Sequence, residues 1–189
     1  MSSGTLLVLG GVRAGKSAFV VARARALGGR VAFVATAQAG DDEMAARIAR
    51  HRTERPSSWR TVEVPLALVP ALTSLDGEAD VVIVDCLNLW VANILDSRPK
   101  LTDLELLDEA RQLAVVAEHP SYSLLLVSNE VGWGVHPETE LGRRFRDALG
   151  LVNQAVARAA AEVVLMVAGC PLTIKVPGSR GSAGRGRRR

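Results

Sequence analysis

Eight residues near the start of the chain, GGVRAGKS at positions 10–17, have the types and spacing to hold the phosphates of a nucleotide. They fit the pattern G-x-x-x-x-G-K-[ST]. Gly10, Gly11 and Gly15 allow a tight turn, so the backbone N–H groups through Val12, Arg13 and Ala14 can face an anion. Lys16 is spaced to reach the β- and γ-phosphates, and Ser17 offers a hydroxyl to Mg²⁺. A helix starting here adds partial positive charge at its N-terminus. Such a loop selects a nucleoside triphosphate with Mg²⁺. It does not by itself choose between kinase, ATPase and GTPase.

A second carboxylate is needed for the metal. Asp85 closes the apolar run VVIVD, where it can complete Mg²⁺ coordination beside Ser17, directly or through water. The alternative is a cap for the following helix, a position Asp favours. The next residue is Cys86 rather than an acid, which leans away from water activation and toward transfer to a hydroxyl acceptor. A third candidate lies in DDEMAARIARHRTER, residues 41–55. On a helix, Glu43, Arg47 and His51 form one row at i, i+4 spacing. Arg50 and Arg52 flank His51; cationic neighbours disfavour the charged imidazole and can also bind phosphate. A neutral imidazole so placed can attack phosphorus and form a covalent intermediate. The residues alone leave this reading open against a surface histidine in a basic helix.

Positioning these groups falls to alternating strand-like and helix-like runs. Strands are expected at Thr5–Leu9, Val31–Ala35, Arg60–Val64, Val81–Asp85, Ser123–Val127, Val163–Val167 and Leu172–Val176. Helices are expected over Ser17–Ala26, over residues 41–55, and over Leu66–Leu75, which contains Pro70. Further helices are expected over Cys86–Leu95 and Leu101–Glu118, and over Glu138–Ala161 as one helix or two joined near Gly150. This βα rhythm predicts an α/β fold of the RecA-like P-loop NTPase type, a mainly parallel sheet with helices on both faces.

The 189 residues fit one nucleotide-binding domain, 1–178, and a Gly/Ser/Arg tail, 179–189. The tail cannot bury apolar surface and is expected to be disordered. The formal charge of +3 becomes −2 without the tail's five arginines, so the folded body is slightly acidic and nucleic acid is not the expected partner. No apolar run approaches the ~20 residues of a membrane span. The N-terminus lacks a signal-peptide pattern, and Cys86 and Cys170 form no CxxC pair, so a cytoplasmic protein with reduced thiols is expected.

Four stretches together carry a resemblance: LGGVRAGKS, FVATAQAGDDEMAARIARHRTERPSSWRTVEVP, VVIVDCLNLWVANIL, and LLLVSNEVGWGVHPETELGRRFRDALGLVNQAVARAAAEVVLMVAGCPLTIK. The chain resembles the bifunctional adenosylcobinamide kinase/adenosylcobinamide-phosphate guanylyltransferase family of cobalamin biosynthesis, over residues 5–176. The resemblance implies phosphorylation of the aminopropanol hydroxyl of adenosylcobinamide by ATP or GTP. It implies a second transfer, of GMP from GTP onto that phosphate, through a guanylylated histidine matching His51. Further nucleotide contacts implied by it fall on Ala35, Thr36 and Ala37, on Arg52, Thr53, Glu54 and Arg55, and on Glu63. It also implies a homo-oligomer, a trimer. Asn88 stands where Thr is expected in that family, and His136 has no assigned role. Arg143, Arg144 and Arg146 are open between phosphate contacts and a solvated helix face. Two other readings compete: a P-loop small-molecule kinase lacking the guanylyl step, and a nucleotide-dependent binding module.

Overall fold

The computed structural model describes residues 3–38, 49 and 55–178. The predicted helix at 41–55, with His51, Arg52, Thr53 and Glu54, and the tail at 179–189 therefore lie outside the described residues, apart from positions 49 and 55. The elements run β1 (Thr5–Gly10), α1 (Lys16–Leu27), β2 (Val31–Ala35), β3 (Arg60–Glu63), α2 (Leu68–Ser74), β4 (Val81–Asp85), α3 (Leu87–Ser97), α4 (Asp103–Glu118), β5 (Ser123–Val127), α5 (Glu140–Ala159), β6 (Glu162–Val167) and β7 (Cys170–Lys175). They form one sheet in the order β3-β2-β4-β5-β1-β6-β7. All neighbouring strands pair parallel except β6 and β7.

The apolar strand runs are continuous because both faces of the sheet are covered. Alternate residues go to opposite sides. Leu6, Val8, Phe33, Ile83, Leu125 and Val127 pack on one side with Val20 and Ala24 of α1. Leu7, Val34, Val82, Val84, Leu124 and Leu126 pack on the other side with residues of α2, α3, α4 and α5. Trp90 of α3 is fully buried there, and its indole N–H donates to the Leu66 carbonyl at 2.8 Å.

Helix ends follow local chemistry. Thr102 caps α4 in a reciprocal box with Glu105: the Thr102 hydroxyl accepts from the Glu105 N–H, and the Glu105 carboxylate accepts from the Thr102 N–H. This sets the start of α4 two residues later than the apolar pattern suggests. Pro70 falls in the first turn of α2, where its missing N–H costs nothing. Helix α5 runs unbroken through Gly150, which settles the two-helix alternative.

The last strand departs from expectation. It starts at Cys170, two residues early, and runs antiparallel to β6. Ala168 and Gly169 make a two-residue turn with φ of 49° and 83°. Positive φ at both turn residues is what a tight hairpin requires, but alanine rarely signals it.

Tyr122, just before β5, is buried and its hydroxyl donates to the Leu72 carbonyl at 2.8 Å. Burial pushes this phenol from its ordinary value of 10.0 up to about 12. The unfolded chain therefore releases the phenol proton first as pH rises. The native state keeps this contribution below about pH 10 and loses it as pH climbs toward about 12. Tyr122→Phe is expected to cost about 1 kcal/mol at neutral pH, through the lost hydrogen bond. It should also flatten the fall of stability between about pH 10 and 12. Urea melts of both chains across that range check the two effects together.

Candidate active site

The carboxyl ends of β1, β2, β4 and β5 surround a cleft of about 240 Å³. Ligand crevices lie at this edge in open α/β sheets. The loop between β1 and α1 forms one wall: Val12, Arg13, Ala14, Gly15, Lys16 and Ser17 all line the cleft. Gly15 has φ 95° and Arg13 has φ 56°, the alternation that turns successive N–H groups toward one concavity. Gly10 and Gly11 stand behind this wall, and their carbonyls accept the Lys16 ammonium at 3.0 and 2.6 Å. The Lys16 side chain is thus buried and hydrogen-bonded by the loop's own oxygens, since an unpartnered buried ammonium would be strongly unfavourable.

Ser17, in the first turn of α1, donates its hydroxyl to Asp85 Oδ2 at 3.1 Å. The two residues are 68 positions apart and meet because β4 ends beside the loop. Two hard oxygens thus converge at the cleft, a donor set that suits Mg²⁺. Among the described residues there is no group of three His, Cys, Asp or Glu. A metal held here would draw most of its ligands from phosphate and water, as Mg²⁺ at nucleotide sites does. The cap position of α3 falls to Cys86, whose side chain makes no capping hydrogen bond.

Of the further expected nucleotide contacts, Ala35, Ala37 and Arg55 line the cleft. The Arg55 guanidinium lies 3.4 Å from the centroid of the Phe33 ring, which fixes it at the cleft wall. Glu63 pairs with Ala35 at the exposed end of β3 and is not part of the lining. Thr36 is fully buried behind the lining. Its hydroxyl donates to the Cys86 carbonyl at 2.7 Å and accepts from the Cys86 N–H at 2.8 Å. Its own carbonyl accepts from Asn93 Nδ2, which also reaches Pro65 O. Thr36 therefore holds the ends of β2 and β4 together and sets where Asp85 emerges. Asn88 lines the cleft, and among the described residues its Oδ1 is sealed from solvent without a hydrogen-bond partner.

The three arginines of α5 bond to groups of neighbouring loops. Arg143 donates to the carbonyls of Pro137 and Glu138 at 3.1 and 2.6 Å. Arg144 donates to the carbonyls of Pro99 and Leu101, tying α5 to the loop before α4. Arg146 bonds to Asp147 at 3.1 Å and to His136 Nδ1 at 2.8 Å. A guanidinium only donates, so that ring nitrogen accepts. All three clamp loops around the site.

Sequence reasoning missed Asn153. It is buried on α5, among Leu149, Val152 and Val156, and organises the residues after β5. Its Oδ1 accepts the Ser128 hydroxyl at 2.7 Å, and its Nδ2 donates to Asn129 O at 3.0 Å and Glu130 Oε1 at 3.4 Å. A polar residue on the apolar stripe of a helix is the signal that could have found it. Glu130 is half-buried, and burial raises its carboxyl above the ordinary range, with the Asn153 hydrogen bond partly offsetting this.

A phosphate-binding loop at the carboxyl edge of a mainly parallel sheet, facing a strand-end aspartate, defines a P-loop nucleoside-triphosphate protein with a RecA-like fold. In fold, the chain is similar to the assembled ATPase EscN of the enteropathogenic E. coli type III secretion system. That likeness has a TM-score of 0.55 at 10% identity, covering 88% of this chain and 43% of that one. The particular family follows from sequence: residues 6–174 match the model for cobinamide kinase / cobinamide phosphate guanyltransferase, and the chain belongs to that family. It is 44% identical over 171 residues to the bifunctional adenosylcobalamin biosynthesis protein CobP of Pseudomonas aeruginosa, covering 89% of this chain and 96% of the relative. It is 40% identical over 183 residues to the bifunctional adenosylcobalamin biosynthesis protein CobU of Escherichia coli K12, covering 90% and 99%. The chain is accordingly an enzyme with kinase and guanylyltransferase activity.

The geometry of Gly10 makes the loop intolerant of a side chain. Its φ is 148°, and an added Cβ would sit 2.6 Å from the backbone oxygen of Met166 on β6. Gly10→Ala is expected to destabilise the fold by about 2 kcal/mol or more and to weaken nucleotide binding at least about tenfold. Thermal melts and a nucleotide titration read the two losses.

Proposed function

We propose that the chain phosphorylates the aminopropanol hydroxyl of adenosylcobinamide with ATP or GTP and then transfers GMP from GTP onto the new phosphate, releasing pyrophosphate and forming adenosylcobinamide-GDP. The observation that carries this reading is the convergence of Lys16, Ser17 and Asp85 on one cleft at the sheet's carboxyl edge. In the first reaction the loop amides and Lys16 hold the β- and γ-phosphates. Lys16 exchanges the Gly10 and Gly11 carbonyls for phosphate oxygens as it does so. Mg²⁺, held by Ser17 and Asp85, would spread the charge of the β- and γ-phosphates when bound. The protein's part in such a transfer is mainly alignment and charge neutralisation.

In the second reaction His51 is the nucleophile. Its imidazole nitrogen bonds to the α-phosphorus as the bond to pyrophosphate breaks. The terminal phosphate oxygen of adenosylcobinamide phosphate then displaces the histidine, which regains its neutral form. Splitting the transfer in two uses one histidine where a direct displacement would have to align two polyanions at once. Arg52, Thr53, Glu54 and Arg55 follow His51 closely in sequence, and Arg55 stands at the cleft. Glu63, at the end of β3, is assigned to the nucleotide's base or ribose. The reading extends to the setting of the enzyme: a cytoplasmic homo-oligomer, a trimer, drawing on the cellular ATP and GTP pool. The exposed apolar residues Leu172 and Ile174 on the edge strand β7, and Val176 just after it, support self-association. The domain spans residues 1–178, with the basic tail at 179–189 outside the catalytic body.

The test uses GTP labelled at the α-phosphate, with Mg²⁺ and no corrinoid. After denaturation, acid-labile label is expected on the wild type, and γ-labelled GTP is expected to leave none. His51→Ala is expected to show only background label while still binding nucleotide. Full labelling of that variant would remove His51 from the mechanism.

A further inference from the structure

The residues after β5 carry chemistry that the reading above leaves unused. In the sheet, β5 lies between β4 and β1, with Val127 opposite both Asp85 and Val8. The chain leaving β5 therefore rises between the metal-side carboxylate and the phosphate loop. It is fixed there along its length. The Ser128 N–H donates to Val8 O at 2.9 Å, and the Glu130 N–H donates to Gly10 O at 3.2 Å. That Gly10 oxygen is the one that also receives the Lys16 ammonium. From the other side, the buried Asn153 side chain grips Ser128, Asn129 and Glu130 in turn. Asn129 lines the cleft. Among the described residues Glu130 Oε1 bonds to Asn153, and Oε2 carries no hydrogen bond. Beyond Glu130 the chain presents Trp133 and Val135 to solvent, 72% and 93% exposed, while Arg143 holds the far end of the loop by the carbonyls of Pro137 and Glu138.

We propose that Glu130 is the catalytic carboxylate on the acceptor side of the kinase step, taking the proton of the acceptor hydroxyl, with Trp133 and Val135 forming an apolar rest for the body of the acceptor. The inference rests on the kinase reading above and adds the group that activates the hydroxyl. As the hydroxyl oxygen bonds to the γ-phosphorus, the bond from that phosphorus to the bridging oxygen breaks, and the nucleoside diphosphate leaves with the electron pair. The hydroxyl proton passes to Glu130 and on to solvent after product release. The half-buried setting suits a base: burial raises the carboxyl's proton affinity, and Asn153 holds its orientation without adding charge. An acceptor with a bulky apolar body and a hydroxyl arm fits the exposed Trp133 and Val135 in the loop that follows this carboxylate.

The two transfers differ in their need for such a base. Attack by an uncharged imidazole on the α-phosphorus involves no acceptor hydroxyl. The final acceptor is a phosphate, already ionised at neutral pH. Replacing Glu130 with glutamine keeps an oxygen for the Asn153 amide but removes the base. In Glu130→Gln, the kcat for phosphorylation of adenosylcobinamide by ATP is expected to fall about 10²- to 10³-fold, with the KM for ATP unchanged. The same preparation, given GTP and ready-made adenosylcobinamide phosphate, is expected to form adenosylcobinamide-GDP at within about twofold of the wild-type rate. Glu130→Asp is expected to recover part of the lost kcat. A kinase rate in Glu130→Gln within about threefold of wild type would overturn the proposal. So would an equal fall in both transfers, which would make the residue a structural one. A wild-type chain that cannot phosphorylate adenosylcobinamide at all would overturn the kinase reading itself, a different and separately visible failure.

Discussion

The carbonyl oxygen of Gly10 is the point on which the site hangs. It ends β1, and it receives both the Lys16 ammonium at 3.0 Å and the Glu130 N–H at 3.2 Å. One lone pair faces the phosphate loop and the other faces the chain leaving β5. The position admits no side chain, because the Met166 backbone of β6 lies directly against it. The phosphate loop and the chain leaving β5 are thereby joined at a single backbone atom, and their spacing is inherited from the pairing of three strands. Burying the lysine ammonium within its own loop would be prohibitive without these oxygens, so the loop's shape and its charge are set together.

The edge above the sheet is held by a few polar side chains, most of them spanning a long gap in sequence. Thr36 bonds to both backbone groups of Cys86, fifty residues away, and so fixes the exit of Asp85. Asn93 ties Thr36 to Pro65, and Asn153 ties α5 to the end of β5. Arg144 and Arg143 do the same for the outer loops. Paired buried groups such as Thr36 and Asn153 stiffen the edge, because losing one partner would strand the other without water. Rigidity of this sort is what transfer between two polyanions demands, where most of the catalytic effect comes from placement.

What could be read in advance follows the range of the interactions. The phosphate loop was legible because all its parts lie within eight residues, between a strand and a helix. The four central strands were legible because they are buried on both faces and read as unbroken apolar runs. Asp85 stood out because it ends such a run. The stapling role of Thr36 was not legible, since nothing local indicates that its hydroxyl meets a backbone fifty positions on. The arginines of α5 and the buried Asn153 were obscure for the same reason: their partners are loop carbonyls and side chains from other elements. The hairpin before β7 was hidden by alanine in a turn position where asparagine or glycine is the usual mark.

That hairpin has one more property. Gly169 at its turn donates to the carbonyl of Ala14, so the edge of the sheet leans on the phosphate loop. The residue after it, Cys170, is exposed, while the chain's other thiol, Cys86, is buried. A thiol-reactive fluorophore would therefore attach at one place, a single residue away from the contact with the loop. The molecule comes with a spectroscopic port beside its own catalytic edge, and the filling of the cleft can be followed as light without altering a residue that takes part in it.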